Sequence, residues 1–372
     1  MMDAGIIHES CGPVASPIVV VKQKNKHRLC VDYRILNDAT SPLKFPLPNL
    51  LGILERLSKK WWFATMDLKS GYHQVPIAMD SQKYTSLVTE FGQYEFTRVP
   101  FAFFQWTMTR VLHGLVHEIC EVYIDDIIVF GTDAESFLRN LWIILEHLRQ
   151  ANVILRPNKC CIGLHEVTYL GYVVNGDGIR MSEHRIEALD RIPLPKMKTQ
   201  VRSLYGLLNV FHAFIPNFAL ITSVIAAVCS RKGSVQWNDT LQSALSDMKS
   251  HIVSCIMLLH IDYNYVLVLR TDASLTGVGA IVLNMIGMEE RNVWFLSRAF
   301  TSTERNWSTI EQEVFGIFWA IVSLDHWLYG NPFVVQTGHR NLVFIHKSMI
   351  PKFQCWHLRM LEYDFVIEHI PG

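Results

Sequence analysis

Apolar and polar residues alternate near the N-terminus in a pattern that predicts a β-hairpin. Two β-rich runs, 18–21 and 29–33, flank the polar residues KNK at 24–26, and runs of this kind around a short polar connection are typical of paired strands. The hairpin would carry a basic tip. Further along, the apolar run 50–57 predicts a helix that ends in two lysines.

Three carboxylates stand at the ends of predicted strands. The run 61–66 predicts a strand that stops at Asp67, and the run 122–130 is apolar on both sides of Asp125 and Asp126. The second run therefore predicts two short buried strands joined by an acidic turn. Between these two regions, the apolar period over 104–119 predicts a helix.

The rest of the chain predicts a helical region followed by a second α/β domain. A polar stretch at Gly233-Ser234 is the candidate linker between them. In chain order, the predicted elements are a helix over 135–150, a strand over 167–174, proline-punctuated helices over 182–232, strands over 266–269 and 277–283, a helix over 309–326 and a strand over 333–337.

Composition places the chain among ordinary globular proteins. It has 372 residues, of which 50% are hydrophobic and 18% charged, enough for two or three packed domains. Eight cysteines without a CxxC pair predict neither a zinc site nor a disulfide framework. No segment has the length and hydropathy of a membrane span or a signal peptide, so we expect a cytoplasmic or nuclear protein that is not secreted.

Net charge is zero over the whole chain but differs along it. Residues 1–232 carry 25 Lys and Arg against 21 Asp and Glu, whereas residues 233–372 carry 9 against 13. Within the first part, residues 1–60 hold 9 basic and 5 acidic residues. The overall neutrality argues weakly against a polynucleotide partner, and the basic start of the chain argues for one.

The paired aspartates Asp125 and Asp126 point to a metal site. Carboxylates between buried strands lose hydration and repel each other unless positive charge compensates them. Magnesium prefers such hard oxygen ligands and is used in phosphoryl transfer. A solvated Asp-Asp turn is the simpler alternative, but Asp67 at a third strand end favours a two-metal nucleotidyl transferase.

Several motifs in order resemble the reverse transcriptase of gypsy-type long-terminal-repeat retrotransposons. They are RLCVDYRILN at 28–37, FATMDLKSGYHQV at 63–75, EFGQYEFTRVPF at 90–101, YIDD at 123–126, YLGYVVNGDGI at 169–179 and FIPNF at 214–218. The resemblance implies an α+β right-hand polymerase followed by an α/β ribonuclease H-like domain. It implies fingers and palm over 1–180, a helical thumb over 181–232, a connector over 233–261 and the ribonuclease H-like domain over 262–372.

The resemblance also implies roles for individual residues in the polymerase. Asp67, Asp125 and Asp126 match the metal-binding catalytic triad, which holds two Mg²⁺ ions, with Mn²⁺ as a substitute. Arg28, Lys22 and Lys24 match basic residues of the fingers that hold the triphosphate, although the lysines could equally be a solvated hairpin tip. Tyr72 and Phe101 match nucleotide-pocket residues, and Leu170, Gly171 and Tyr172 match the primer grip.

The C-terminal motifs resemble a ribonuclease H domain with missing ligands. Asp272 in TDAS and Glu313 in the predicted helix match two of its four metal-binding carboxylates, and Glu311 is the nearby competitor of Glu313. The third acid of the family's Thr-Asp-His reads Gly338 here. The fourth normally lies just beyond the last residue of this chain. We therefore expect this domain to be an inactive nuclease.

The polymerase region departs from the family pattern in one loop. PFAFFQ at 100–105 is about six residues shorter than the corresponding family segment, which lines the nucleotide and template pocket. We therefore expect strongly reduced polymerase activity although the aspartates are intact.

Three functional hypotheses remain at this point. The first is an RNA-directed DNA polymerase that acts on an RNA template, a DNA primer, dNTPs and an RNA–DNA hybrid, without a membrane partner. The second is a noncatalytic nucleic-acid-binding remnant of a retroelement. The third, a scaffold protein recruited by the host, has no positive sequence feature in its favour.

Overall fold

Two compact units make up the chain, residues 1–170 and residues 171–372. The computed structural model describes residues 1–2, 4–23, 26–40, 48–68, 74–99, 104–195, 197–230, 239–253, 257–339 and 351–370. The domain boundaries implied by the resemblance, near 180, 232 and 261, stay predictions. The linker candidate Gly233-Ser234 lies outside the described residues.

The first unit begins with a five-stranded sheet in the strand order β1-β6-β5-β2-β3. Its strands are β1 (Ile7–Glu9), β2 (Ser16–Gln23), β3 (Lys26–Val31), β5 (Leu87–Thr89) and β6 (Gly92–Phe96). The predicted N-terminal hairpin is present, because β2 and β3 pair antiparallel from Ile18↔Val31 to Gln23↔Lys26. Three short helices accompany this region: α1 (Arg34–Ala39), α2 (Leu50–Arg56) and α3 (Met79–Gln82).

A four-stranded sheet in the order β7-β8-β4-β9 carries the acidic turn. Its strands are β4 (Trp62–Asp67), β7 (Cys120–Tyr123), β8 (Asp126–Gly131) and β9 (Cys161–Leu164). The helices of this region are α4 (Phe104–Val111) and α5 (Ala134–Gln150), and the strand β10 (Glu166–Tyr169) ends the unit. The predicted strand at 61–66, the strand pair within 122–130 and the helix over 135–150 are thus all present.

The core of this region fixes the acidic sheet in place. Residues from β4, β7 and β8 pack against the apolar face of α5, in which Phe137, Leu141, Ile144 and Leu148 are buried. Asp133 begins the helix with a capping box, since its side chain accepts a hydrogen bond from the Ser136 amide at 2.9 Å. Burial of one helix face and a satisfied helix start make this a rigid support for the strand ends.

The second unit opens with short strands and a set of helices. β11 (Tyr172–Asn175) pairs antiparallel with β12 (Gly178–Met181), which pairs antiparallel with β13 (Leu258–Leu259). The helices are α6 (Glu183–Asp190), α7 (Lys198–Leu208), α8 (Phe218–Ser230) and α9 (Asp239–Val253), with a 3₁₀ segment over Asn209–Phe214. The predicted helical region over 182–232 is therefore confirmed where the structure describes it.

A mixed five-stranded sheet in the order β16-β15-β14-β17-β18 completes the second unit. The strands are β14 (Val266–Ala273), β15 (Gly277–Ile286), β16 (Glu289–Ala299), β17 (Phe333–Thr337) and β18 (Phe365–His369). Its helices are α10 (Thr309–Ser323), α11 (Asp325–Leu328) and α12 (Pro351–Met360). β17 runs parallel to both β14 and β18, and β14 and β15 are antiparallel.

Two sequence-based predictions of single elements were wrong. The helix predicted over 104–119 ends at Val111, because Gly114 and His117 adopt positive φ values of 78° and 77° that no α-helix contains. The single strand predicted over 167–174 is two strands, β10 and β11. Leu170 and Gly171 between them have φ values of 50° and 79°, which interrupt extended backbone.

Candidate active site

A two-residue turn joins β7 to β8 and places the paired aspartates. Tyr123 pairs with Asp126, so Ile124 and Asp125 form the corner of the hairpin. Ile124 has a φ of 56°, a left-handed conformation that is a genuine outlier for a β-branched residue. Outliers of this kind persist where the surroundings determine them, and they cluster at functional sites.

Asp67 lies directly opposite Asp126 in the neighbouring strand. It is the last residue of β4, and the antiparallel register pairs it with the first residue of β8. Side chains opposite each other in an antiparallel pair stand on one face, with Cβ atoms about 5 Å apart. The structure therefore brings together two carboxylates that are far apart in the sequence.

These two carboxylates line one pocket of about 310 Å³. The remaining lining residues are Thr65, Met66, Ile127, Lys159, Thr168, Tyr169 and Leu170. Asp125 lies at the hairpin corner, directly before Asp126, and its Oδ1 atom is buried without a hydrogen-bond partner in the described part of the chain. A buried oxygen atom without a hydrogen-bond partner indicates a position where a ligand or a cation could bind.

Burial and neighbouring negative charge raise the pKa of Asp126. Loss of hydration is the largest cause, and the negative charges of Asp125 and Asp67 add to it, whereas Lys159 acts in the opposite direction. Each carboxylate thus makes the ionised form of Asp126 less favourable. A divalent cation would relieve this repulsion, as expected for oxygen ligands that hold Mg²⁺.

The site also contains two basic residues, Arg156 and Lys159, that the sequence did not single out. Lys159 lies with its Nζ atom 3.0 Å from Asp67 Oδ2, and Arg156 Nη1 lies 3.6 Å from Asp67 Oδ1. The Arg156 amide also donates a hydrogen bond to the Asp67 carbonyl oxygen at 2.9 Å. The sequence does contain an indication of them. The segment RPNK at 156–159, after α5, has two basic residues, Arg156 and Lys159, that could pair with the aspartates.

Tyr169 is a third residue that the sequence did not single out. Its side chain is buried, and its hydroxyl donates a 3.3 Å hydrogen bond to the carbonyl oxygen of Asp126. It therefore ties the floor of the pocket to the first residue of β8.

The carboxylates fit magnesium by chemistry, although no metal position is assembled. Within the residues described, no group of three or more His, Cys, Asp or Glu side chains is arranged to hold a metal ion. Lys159 provides the positive charge at Asp67 instead. A metal that binds Asp67 would have to compete with this ion pair.

The other predicted nucleotide-binding residues are only partly placed. Lys22 lies in β2 and Arg28 in β3, where Val21 pairs with Arg28. Lys24, Tyr72 and Phe101, together with most of the short loop 100–105, lie outside the described residues. Of the predicted primer grip, Leu170 lines the pocket of the first unit, and Gly171 and Tyr172 begin the second unit.

A second carboxylate pair lies in the mixed sheet of the second unit. Asp272 is near the end of β14, and Glu313 is buried in α10, which packs on that strand. Burial, and after it the negative charge of Asp272, raise the pKa of Glu313 to about 7, although a hydrogen bond from the Ala273 amide acts in the opposite direction. Glu311 does not take this place, because it closes the capping box of α10 with Ser308.

Gly338 follows directly after β17, beside the end of β14. Thr271 and Thr337 are register partners in these parallel strands, so Asp272 and Gly338 are the next residues of each. A Cβ atom at Gly338 would meet no heavy atom of the described residues within 4 Å. The position where the resemblance expects a third carboxylate is therefore open space.

Family models match both regions in which these carboxylates lie. The reverse transcriptase (RNA-dependent DNA polymerase) model matches residues 20–174, and the RNase H-like domain found in reverse transcriptase matches residues 262–363. The chain carries a reverse transcriptase domain followed by an RNase H-like domain. The first match spans Asp67, Asp125 and Asp126, and the second spans Asp272, Glu313 and Gly338.

Curated proteins similar to this chain are polyproteins of transposons. The Pol polyproteins of transposons 297 and 412 of Drosophila melanogaster are 34% and 32% identical over 100% and 99% of this chain. The Pol polyprotein of transposon gypsy from the same organism is 31% identical over 100% of it. The chain spans 36%, 31% and 38% of these relatives, about a third of their length.

Solved structures show the same fold. A foamy viral protease-reverse transcriptase in complex with double-stranded DNA aligns with a TM-score of 0.88 at 22% identity, covering 100% of this chain and 68% of that one. The foamy viral protein in complex with an RNA/DNA hybrid aligns with a TM-score of 0.78 over 99% of this chain and 52% of that one. The predicted α+β fold, a polymerase followed by a ribonuclease H-like domain, is confirmed.

No helix in the described residues is long and apolar enough to cross a membrane.

Proposed function

We propose that the first unit is an RNA-directed DNA polymerase whose nucleotidyl transfer takes place at Asp67, Asp125 and Asp126. The observation that carries the proposal is the cross-strand pair of Asp67 and Asp126 in one pocket, with Asp125 at the adjoining hairpin corner. Crowding of negative charge at this point supports a site built for cations. The match to the reverse transcriptase family supports the reaction type.

The three aspartates would hold two Mg²⁺ ions, or Mn²⁺ in their place. When bound, these ions would neutralise charge on the triphosphate and align it with the primer 3′-hydroxyl. Lys159 forms an ion pair with Asp67 that holds this carboxylate in position. Tyr169 holds the backbone of Asp126 through its hydroxyl. Positioning and charge compensation of this kind supply most of the rate in phosphoryl transfer.

The substrates we propose are an RNA template, a DNA primer and dNTPs. Arg28, Lys22 and Lys24 would contact the triphosphate, Tyr72 and Phe101 would line the nucleotide pocket, and Leu170, Gly171 and Tyr172 would form the primer grip. The solved structures with similar folds contain double-stranded DNA or an RNA/DNA hybrid, which supports a nucleic-acid partner.

The ribonuclease H-like domain would bind an RNA–DNA hybrid without cutting it. Asp272 and Glu313 could still take up a metal ion, but Gly338 provides no carboxylate. This same glycine favours a second candidate for the whole chain, a noncatalytic nucleic-acid-binding remnant.

Primer extension on an RNA template tests the polymerase. We expect weak Mg²⁺-dependent extension, low because of the short loop 100–105, and a further loss of about a hundredfold or more in Asp125→Ala. Asp80→Asn, which removes the charge of an exposed residue in α3 outside the pocket, is the matched control and should leave extension unchanged.

Three results would change these conclusions. Extension that is equal in the wild type and Asp125→Ala would refute the assigned site. Hybrid binding with no extension above the Asp125→Ala background would favour the noncatalytic remnant. Robust extension would support the function and contradict the expected effect of the short loop.

A further inference from the structure

The first turn of α6 packs directly on the residues that follow Leu170. The Ser182 amide, at the N-cap of α6, donates a 3.2 Å hydrogen bond to the carbonyl oxygen of Gly171. The Arg185 amide in turn donates to the Ser182 carbonyl oxygen at 3.0 Å. The backbone of Gly171 is thus fixed from one side by the start of a helix.

Arg185 covers the neighbouring tyrosine. Its guanidinium carbon lies 4.8 Å from the centre of the Tyr172 ring. The same ring stacks on Phe214, with ring centres 6.0 Å apart and an angle of 24° between planes. A planar cation over a ring face is a favourable contact, so Tyr172 is held by its contacts with Arg185 and Phe214.

Arg185 also lies against Gly171 itself. A Cβ atom at position 171 would overlap the Nε, Cζ and Nη2 atoms of Arg185, so the guanidinium group occupies the space that any other residue's side chain would need. Gly171 has a φ of 79°, which glycine adopts readily and other residues rarely. Glycine here therefore permits both the turn and the close approach of the arginine.

We propose that Arg185 is a positioning residue for the primer grip, because it holds the Gly171 backbone and the Tyr172 ring in one conformation. The inference rests on the proposed polymerase function and on the assignment of Leu170, Gly171 and Tyr172 to the primer end. A glycine backbone can adopt more conformations than that of any other residue. A displacement of about 1 Å of the primer 3′ end can lower the reaction rate about a hundredfold. Arg185, which lies outside the turn, restricts the conformations that Gly171 and Tyr172 can adopt.

The variants separate the planar cation from simple filling of space. Arg185→Met keeps an apolar stem without charge, and Arg185→Lys keeps the charge without the plane. Arg191→Met is the matched control, because Arg191 directly follows the same helix and its side chain forms an exposed ion pair with Glu187. Each full-length variant is compared with the wild type on an RNA template annealed to a DNA primer.

The first measurement separates binding from turnover. At saturating primer–template, we expect single-turnover extension by Arg185→Met to fall about tenfold while the Kd of the hybrid changes by less than about twofold. Arg185→Lys should be intermediate, and Arg191→Met should match the wild type. An equal loss of affinity, rate and thermal stability in Arg185→Met would show a merely structural role and overturn the proposal.

The second measurement does not require catalysis. With 2-aminopurine as the 3′-terminal base of the primer, fluorescence reports how the bound end is stacked. A changed signal in saturated complexes of Arg185→Met, but not of Arg191→Met, supports the proposal even if the wild type extends no primer and the polymerase function fails. Signals and rates identical to the wild type, or a wild type that binds no hybrid, overturn it.

Discussion

The side chain of Glu313 is a titratable carboxyl group that is almost completely buried. Only 7% of the residue is exposed, and its pKa is raised to about 7 by burial and then by Asp272. The folded protein therefore holds a proton at Glu313 that the unfolded chain, with a value near 4.5, releases. Folding stability must depend on pH through this group.

The sign of that dependence follows from the raised pKa. The contribution of Glu313 is fully present below about pH 4.5 and is lost as pH rises through about 7, because ionisation is harder in the folded state. We expect Glu313→Gln to be stabilised relative to the wild type by about 2 kcal/mol more at pH 8 than at pH 5. Denaturant unfolding of both proteins at the two pH values measures this difference.

Glu311→Gln is the control for this experiment. Glu311 lies on the same helix, but a hydrogen bond from the Ser308 amide is the main cause of a lowered pKa. The contribution of Glu311 to the free energy of unfolding is therefore lost only at acidic pH, and it should not change between pH 5 and 8. A parallel pH dependence in Glu313→Gln and the wild type would contradict the raised pKa.

Acidic site residues could be predicted from the sequence, whereas their basic partner could not. Asp67, Asp125 and Asp126 stand at the ends of apolar runs, so the pattern marks each of them. Lys159 lies 92 residues from Asp67 along the chain, in a polar turn without periodicity. Only the folded chain shows that this lysine reaches the carboxylate.

At the scale of elements, the parallel pairing of β14 and β17 decides which residues can share a metal. The register of Thr271 with Thr337 puts Asp272 and Gly338 at matching positions just beyond it. None of the described residues fills the space at Gly338, and its φ lies outside the left-handed range. A side chain at 338 would therefore fit without rearrangement of either strand.

Gly338→Asp should restore a third carboxylate to this edge of the sheet. We expect tighter Mg²⁺ binding, by about tenfold, because an added anionic oxygen ligand favours a divalent cation. The measurement is the Mg²⁺ concentration needed to raise the melting temperature. Gly338→Asn, which has the same shape without the charge, is the control, and an equal response from both variants would refute the expected ligation.

Periodicity predicted elements well where the backbone is regular and failed where single residues break it. The run 61–66 and the helix over 135–150 have strict apolar patterns and unbroken backbones, and both were found. The helix predicted from 104 continues in apolar pattern past Gly114 and His117, yet their positive φ values end it early. Such local conformations leave no mark on the hydrophobic pattern.

At the scale of the whole molecule, the chain contains two units with separate cores. Ile144 of α5 is fully buried in the first, and Ile317 of α10 is fully buried in the second. Chains with more than one core commonly unfold in more than one step. The neutral net charge likewise hides a basic start and an acidic C-terminal part, as the charge distribution along the sequence indicated.

Calorimetry should therefore resolve two unfolding transitions. Ile144→Ala and Ile317→Ala each remove a buried side chain and should each cost about 2–5 kcal/mol. We expect Ile144→Ala to lower one transition and Ile317→Ala to lower the other. A single transition that both substitutions lower equally would show that the two units unfold as one.

If the proposed function holds, the glycine after β17 determines what happens to the copied RNA. A chain that makes DNA on an RNA strand, and lacks a carboxylate needed to cut that strand, would leave the two strands annealed. The new DNA would then stay covered and could not itself be copied. Completion of a double-stranded DNA would depend on a separate ribonuclease that removes the RNA in trans.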